Sequence, residues 1–257
     1  MTSATQHLRP LVRDERFRQW GPGIHVATGS ARFLGLPLWN TACVLELERP
    51  GHLLVWNPIS LTDSLRHSLR DLEQSTGRRV TMILNGLDYH HRELSTWQRA
   101  FPEAETFLVS ERIRDQQPGV EGQVIDGDRP IVPGCEGDIE LLSVRGCLPP
   151  RLERSPRWKN GPRREWFVYH RQSRSLLVGD MLHLHQRVST PQRLLLGLRV
   201  GFALNRAGFR LADATARAGF ARDVLSWPIE QALTVHGTAS AHGADFIQRE
   251  LRFVLGV

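Results

Sequence analysis

Two short apolar runs, far apart in the chain, each end in a residue that can donate to a metal ion. Leu176-Leu177-Val178 is followed by Gly179-Asp180, and Ala232-Leu233-Thr234-Val235 is followed by His236-Gly237. Apolar runs of this length with a glycine at the boundary read as buried strands. A side chain at the tip of such a strand projects from the rim of a sheet, so the two runs predict a carboxylate and an imidazole on one sheet edge. A single strand cannot wrap a cation, and further donors must come from other elements.

The surrounding pattern supplies those elements. Residues 24–27 and 39–47 read as strands, and His52-Leu53-Leu54-Val55-Trp56 as a short strand closed by Asn57-Pro58. Leu65, Leu69 and Leu72 fall at i, i+4 and i+7, with Thr62 as N-cap and Gly77 just past the end, which predicts a helix. A strand at 80–84, a helix at 91–101 stopped by Pro102 and a strand at 106–109 follow. This alternation is that of right-handed crossover units on a sheet. In the second half, strands are expected at 139–144, 165–170, 175–178 and 232–235. Residues 193–221 read as largely helical, although Gly197, Gly201, Gly208 and Gly219 weaken the pattern. Ala244, Ile247, Leu251 and Val254 line one face of a terminal helix. The whole suits an N-terminal arm at 1–22 and one α/β domain at 23–257, of the αββα type.

The length of 257 residues allows a sizeable core. No apolar stretch approaches the roughly 20 residues of a membrane span. The N-terminus lacks the apolar centre of a signal peptide. Cys43, Cys135 and Cys147 do not make a disulfide framework, and a cytoplasmic protein is expected. The net charge of +6 is carried almost wholly by arginine, Lys159 being the only lysine. Attraction of anions explains that balance, and so does a coding bias toward arginine.

Five side chains at strand ends or in the loops after them are candidate ligands. His90 and His91 follow the strand at 80–84, Cys147 follows the strand at 139–144, and Asp180 and His236 end the two runs above. Each also has an ordinary structural role open to it. Asp180 suits the turn after its strand, His236 can bond to backbone, and at most one of His90 and His91 points inward. Cys147 is equally at home as an inert buried thiol. His183 and His185 occupy alternate positions and are expected at the surface or behind the ligands.

The order of these segments resembles the metallo-β-lactamase fold. More closely, the chain resembles a mostly bacterial and plant family within that fold, known only as a domain of unknown function. The resemblance is carried by Leu84-Asn85-Gly86-Leu87-Asp88-Tyr89-His90-His91 with Trp97 and Ala100-Phe101-Pro102, by the stretch from Phe167 through Ser173-Arg174-Ser175 to Gly179-Asp180, and by Trp227-Pro228 up to His236-Gly237. It implies an αββα sandwich, two mixed sheets flanked by helices, with a metal site on the shared edge. The chain departs from the superfamily's histidine-rich loop. Asn85 and Leu87 stand where the first two histidines belong, Tyr89 replaces the aspartate, and Gly146-Cys147 replaces Gly-His. A two-metal site is therefore not expected.

One zinc or iron ion held by some of His90, His91, Cys147, Asp180 and His236 is the expectation, in a hydrolase-like protein acting on a small molecule, with Asp88 as the nearest general acid. The alternative is a metal-free, non-catalytic binding protein on the same fold. The basic loop 151–164, from Arg151 to Arg164 with Trp158 inside it, has the composition of a nucleic-acid contact, and equally that of a solvated arginine-rich loop. The stretch from Leu194 to Leu211, with its interleaved arginines, is read as a lid or core helix, or as a helix on an anionic membrane.

Overall fold

The leucine stripe at 65, 69 and 72 is fully or almost fully buried in the computed structural model, which describes residues 6–33, 36–148, 164–205 and 210–257. Its helix starts where Thr62 accepts a bond from the Leu65 N–H and stops where Gly77 takes a φ of 66°. Capping and one apolar face thus set the helix on the sheet beneath it.

The first half runs β1 (Leu8–Pro10), β2 (Arg18–Gly21), β3 (Ile24–Phe33), β4 (Leu36–Glu46), β5 (His52–Trp56), α1 (Asp63–Thr76), β6 (Arg79–Asn85), α2 (Leu94–Ala100), β7 (Glu105–Leu108), α3 (Arg112–Gln116) and β8 (Gln123–Val124). β2 to β8 lie side by side in chain order as one sheet. β2 to β5 pair antiparallel and β5 to β8 parallel, the crossovers being α1 and the segments holding α2 and α3.

The second half runs β9 (Ile139–Ser143), β10 (Cys147–Leu148), β11 (Trp166–His170), β12 (Ser175–Val178), β13 (Leu182–His185), α4 (Thr190–Leu196), β14 (Gly201–Leu204), β15 (Arg210–Leu211), α5 (Ala214–Leu225), β16 (Gln231–Thr234), β17 (Ala239–His242) and α6 (Ala244–Leu255). The second sheet has the order β1-β17-β16-β12-β11-β9. Only its β12–β16 pair is parallel.

Side-chain alternation along the second sheet builds the layers. Trp166, Val168, Leu177 and Leu233 join the core between the sheets. Phe167, Tyr169, Leu176 and Ala232 face the other way, onto Phe220 and Val224 of α5 and Phe246, Ile247 and Leu251 of α6. A bond from the Thr41 N–H to the Val235 carbonyl, 3.0 Å, ties the sheets together at one edge.

Two sequence expectations are corrected. The segment read as an arm supplies a strand to each sheet, since Leu8 pairs with Ala241 and Arg18 with Val26. Both are edge positions, where three or four residues suffice. Residues 193–221 are not largely helical. Gly197 ends α4 at a φ of 65°, Gly201 opens β14 at 85°, and Asp213 caps a new helix. No single helix from 194 to 211 exists to act as a lid or to lie on a membrane. Among the described residues no helix is long and apolar enough to cross one.

Candidate metal centre

The parallel pairing of β12 with β16 aligns Val178 with Thr234. Two residues beyond that pair on each strand stand Asp180 and His236, so register alone brings them to one point. Their closest approach is 3.2 Å, from His236 Nε2 to Asp180 Oδ1. His90 arrives from the other sheet, in the loop after β6, and its Nε2 lies 3.1 Å from the same Oδ1. The His90 and His236 rings are 4.9 Å apart. Among the described residues these three form a group whose donor atoms all lie within 4.8 Å of one another. Their side chains are only 10–14% exposed.

Close packing holds the Asp180 turn. A Cβ on Gly179 would come 2.1 Å from Leu87 Cδ2 and 2.8 Å from the Glu165 carboxyl carbon, so only glycine fits. Glu165 accepts from the Gly179 N–H at 3.0 Å and the Met181 N–H at 2.9 Å, clasping the turn on both sides of Asp180. Gly237 plays the matching part beside His236, where a Cβ would meet the Leu184 carbonyl at 2.4 Å.

Both imidazoles have their tautomer set from behind. The Asn57 amide donates to the Thr41 carbonyl and to Asn40 Oδ1. Its Oδ1 is left to accept from His90 Nδ1 at 2.9 Å. His236 Nδ1 donates to the Trp39 carbonyl at 2.7 Å. With both Nδ1 positions carrying hydrogen, both Nε2 atoms point at one carboxylate oxygen. Two neutral imidazoles would aim two lone pairs at that oxygen, which a shared proton or a cation between them relieves. The back-bonded Nδ1 is the arrangement that orients metal-ligating histidines.

The electrostatics agree with that geometry. Burial works against ionised Asp180, but the charges of His90 and His236 and their hydrogen bonds hold its carboxyl well below the ordinary range. Burial also works against charged His236, and its bond to Asp180, that residue's charge and the Trp39 carbonyl together raise its pKa. Glu165 is pushed well up by burial and by the charge of Asp180, against the lowering effect of the backbone N–H groups.

The other expected site residues are not in the three-residue group. Asp88 is buried, accepting from Ser110 Oγ on one oxygen and from the Arg164 N–H at 2.8 Å on the other. It ties the loop after β6 to the start of β11 and is not in the three-residue group. His91 turns toward Gln116, Arg92, Asp88 and Arg112, and burial lowers its pKa. Cys147 sits on β10 opposite Leu211, its thiol pushed up to about 11 by burial, which works against the thiolate a metal needs. Leu87 and Asn85, in the places of the missing histidines, are core residues.

His183 and His185 are not at the surface. They are 5% and 1% exposed, and the His183 ring is 5.5 Å from that of His236. Asn57, the Trp39 carbonyl and Glu165 carried no sequence signal of a site role. The basic loop 151–164 lies outside the described residues except for Arg164, which pairs with Asp126 at 2.9 Å.

Solved structures share this fold. The chain superposes on the DIM-1 metallo-β-lactamase exposed to ceftazidime with a TM-score of 0.62 and 13% identity, over 96% of this chain and 98% of that one. A metallo-β-lactamase from Erythrobacter litoralis, with β-mercaptoethanol in its active site, gives 0.61 at 11% identity, over 97% and 100%. The fold is that of the metallo-β-lactamases. A metal-soaked flavodiiron core, Flv1 of a Synechocystis species, matches at 0.60 and 13%, over 96% of this chain and 62% of that one. No protein-family model matches the sequence, and no curated protein does. The three-residue group therefore sits on a metallo-β-lactamase scaffold with two imidazoles and one carboxylate as its donors.

Proposed function

We propose that the protein is a metal-dependent, hydrolase-like protein that holds one zinc or iron ion through His90 Nε2, Asp180 and His236 Nε2. The observation that carries this reading is the convergence of two back-bonded imidazoles on one buried carboxylate oxygen. Two histidines and one carboxylate suit either ion. An ion so held would supply Lewis acidity and would lower the pKa of a bound water toward about 7.

The chain's own residues do the rest. Asn57 and the Trp39 carbonyl keep both Nε2 lone pairs turned inward. Glu165 and Gly179 fix the turn that presents Asp180. Leu87, in the place of one of the superfamily's histidines, is a buried core residue with no donor to offer, which favours one ion over two. A small-molecule ester, amide or phosphoester is the substrate class in keeping with such a centre.

Metal analysis of the purified chain tests the reading. One equivalent of zinc or iron is expected, lost in Asp180→Ala and His236→Ala while the far-ultraviolet dichroism stays unchanged. A protein free of metal, with both variants folding as the wild type does, would instead support the binding protein. With both imidazoles protonated, their Nε2–H groups would donate to Asp180 Oδ1 and satisfy the three side chains without an ion, which is the observation in that alternative's favour.

A further inference from the structure

His183 has no part in the site so far. It lies on β13, where Leu182 and Leu184 face the second core and the two histidines face the other way. β13 is fastened to the loop that carries His236. The Thr238 N–H donates to the Leu184 carbonyl at 2.9 Å, and the Leu184 N–H points to the His236 carbonyl at 3.4 Å. The ring is thereby held 5.5 Å from that of His236 and 5.9 Å from that of His185.

The side chain is 5% exposed, and neither ring nitrogen has a hydrogen-bond partner among the described residues. An imidazole has one donor and one acceptor when neutral. Leaving a buried polar atom unmet is costly. A leucine at this place would cost nothing of that kind. A cation that takes a lone pair would offset part of that cost, and the ring lies beside the His90–Asp180–His236 group, 5.5 Å from His236.

We propose that His183 is a fourth protein donor to the ion held by His90, Asp180 and His236. The inference rests on the reading of that group as a metal centre. His183 stands outside the 4.8 Å grouping of the three donors, so its ring would have to turn inward to reach the ion. Four protein donors fill a tetrahedral zinc but leave positions open on an octahedral ion. The completed set therefore favours a six-coordinate ion such as iron if water is to bind as well.

Cobalt(II), titrated into the metal-free full chain, is the probe. Wild type takes up one equivalent with a visible absorption band. His183→Ala weakens binding by about tenfold or more and changes the band, and added imidazole restores it. His183→Gln, which fills the volume without an imidazole, does the same and carries the test if the alanine variant does not fold. His185→Ala removes an equally buried ring farther along the strand and leaves affinity and band unchanged. Unchanged affinity and band in both His183 variants would overturn the proposal. So would an equal loss in His185→Ala, which would mark the effect as one of packing. Wild type that takes up no cobalt, zinc or iron would overturn the metal reading itself, a result separable from either.

Discussion

Asn57 shows how much of the site depends on one amide. It is fully buried, its φ of 53° lies in the left-handed region, and its side chain reads two oxygens on one side and His90 on the other. Asparagine tolerates that backbone better than most residues. Asn57→Gly keeps the backbone conformation and removes the acceptor behind His90, together with the amide donor to Thr41 and Asn40. Metal affinity is expected to fall about 10–100-fold, as for other losses behind a ligand, in a competition titration against a chromophoric chelator. An unchanged affinity would mean that the His90 tautomer is set by something else. Little of this was legible in the sequence. Asn57-Pro58 reads as a strand terminus, and the Trp39 carbonyl that orients His236 is backbone, which carries no side-chain signal. Cys147 and Asp88 stood out in the sequence for the opposite reason. Each has the right chemistry and sits near a strand end, but β10 pairing takes one and a buried bond network takes the other.

Among the elements, β12 and β16 carry the site, and they were the most legible part of the chain. Each is a short apolar run with a glycine next to its functional residue, and parallel pairing in register delivers both residues to one place. Gly179 is the point on which the β12 turn depends. Gly179→Ala drives a Cβ into Leu87 and Glu165, an overpacking expected to cost about 1–3 kcal/mol. The measurement is a denaturant midpoint, with loss of metal affinity alongside. A variant as stable as wild type would show that the turn relaxes freely. Residues 193–221 were misread because leucine, valine and phenylalanine spaced by glycine fit a weak helix as well as short strands. The choice was made by two glycines at positive φ, and sequence does not show which glycines take that conformation. The short strands β1 and β2 were missed for a related reason. Edge strands of three or four residues are held by their neighbours and have little pattern of their own.

For the whole molecule, the pKa values of His170 and His242, both lowered by burial, work against stability in acid. Burial lowers the His170 pKa to about 4, against the raising effect of Glu46. Burial also lowers that of His242 to about 4, with Arg9 adding to the effect. Between about 4 and the ordinary 6.5 the unfolded chain binds protons that the folded chain refuses, so stability rises with pH there and is lost as pH falls. The His170 shift alone corresponds to roughly 3 kcal/mol. Thermal melts of the metal-free protein should therefore drop steeply from pH 6.5 to pH 4, and less steeply in His170→Phe. A flat profile would contradict it. His236 and Asp180 act in the opposite sense and in a lower window, respectively. His236, its pKa raised, adds stability below 6.5 that is lost as pH rises through its folded value, and Asp180 adds stability that is lost progressively as pH falls from 3.8 through its folded value. The two sheets meet at the edge where these groups lie, and the metallo-β-lactamase fold brings His90 across from one sheet to the carboxylate of the other. The most direct measurement is anomalous diffraction at the zinc and iron edges from crystals of the metal-loaded chain. The account predicts a single peak, about 2.0–2.2 Å from His90 Nε2, Asp180 Oδ1 and His236 Nε2. A peak on other residues, or none with the His90–Asp180–His236 hydrogen bonds still closed, would contradict it.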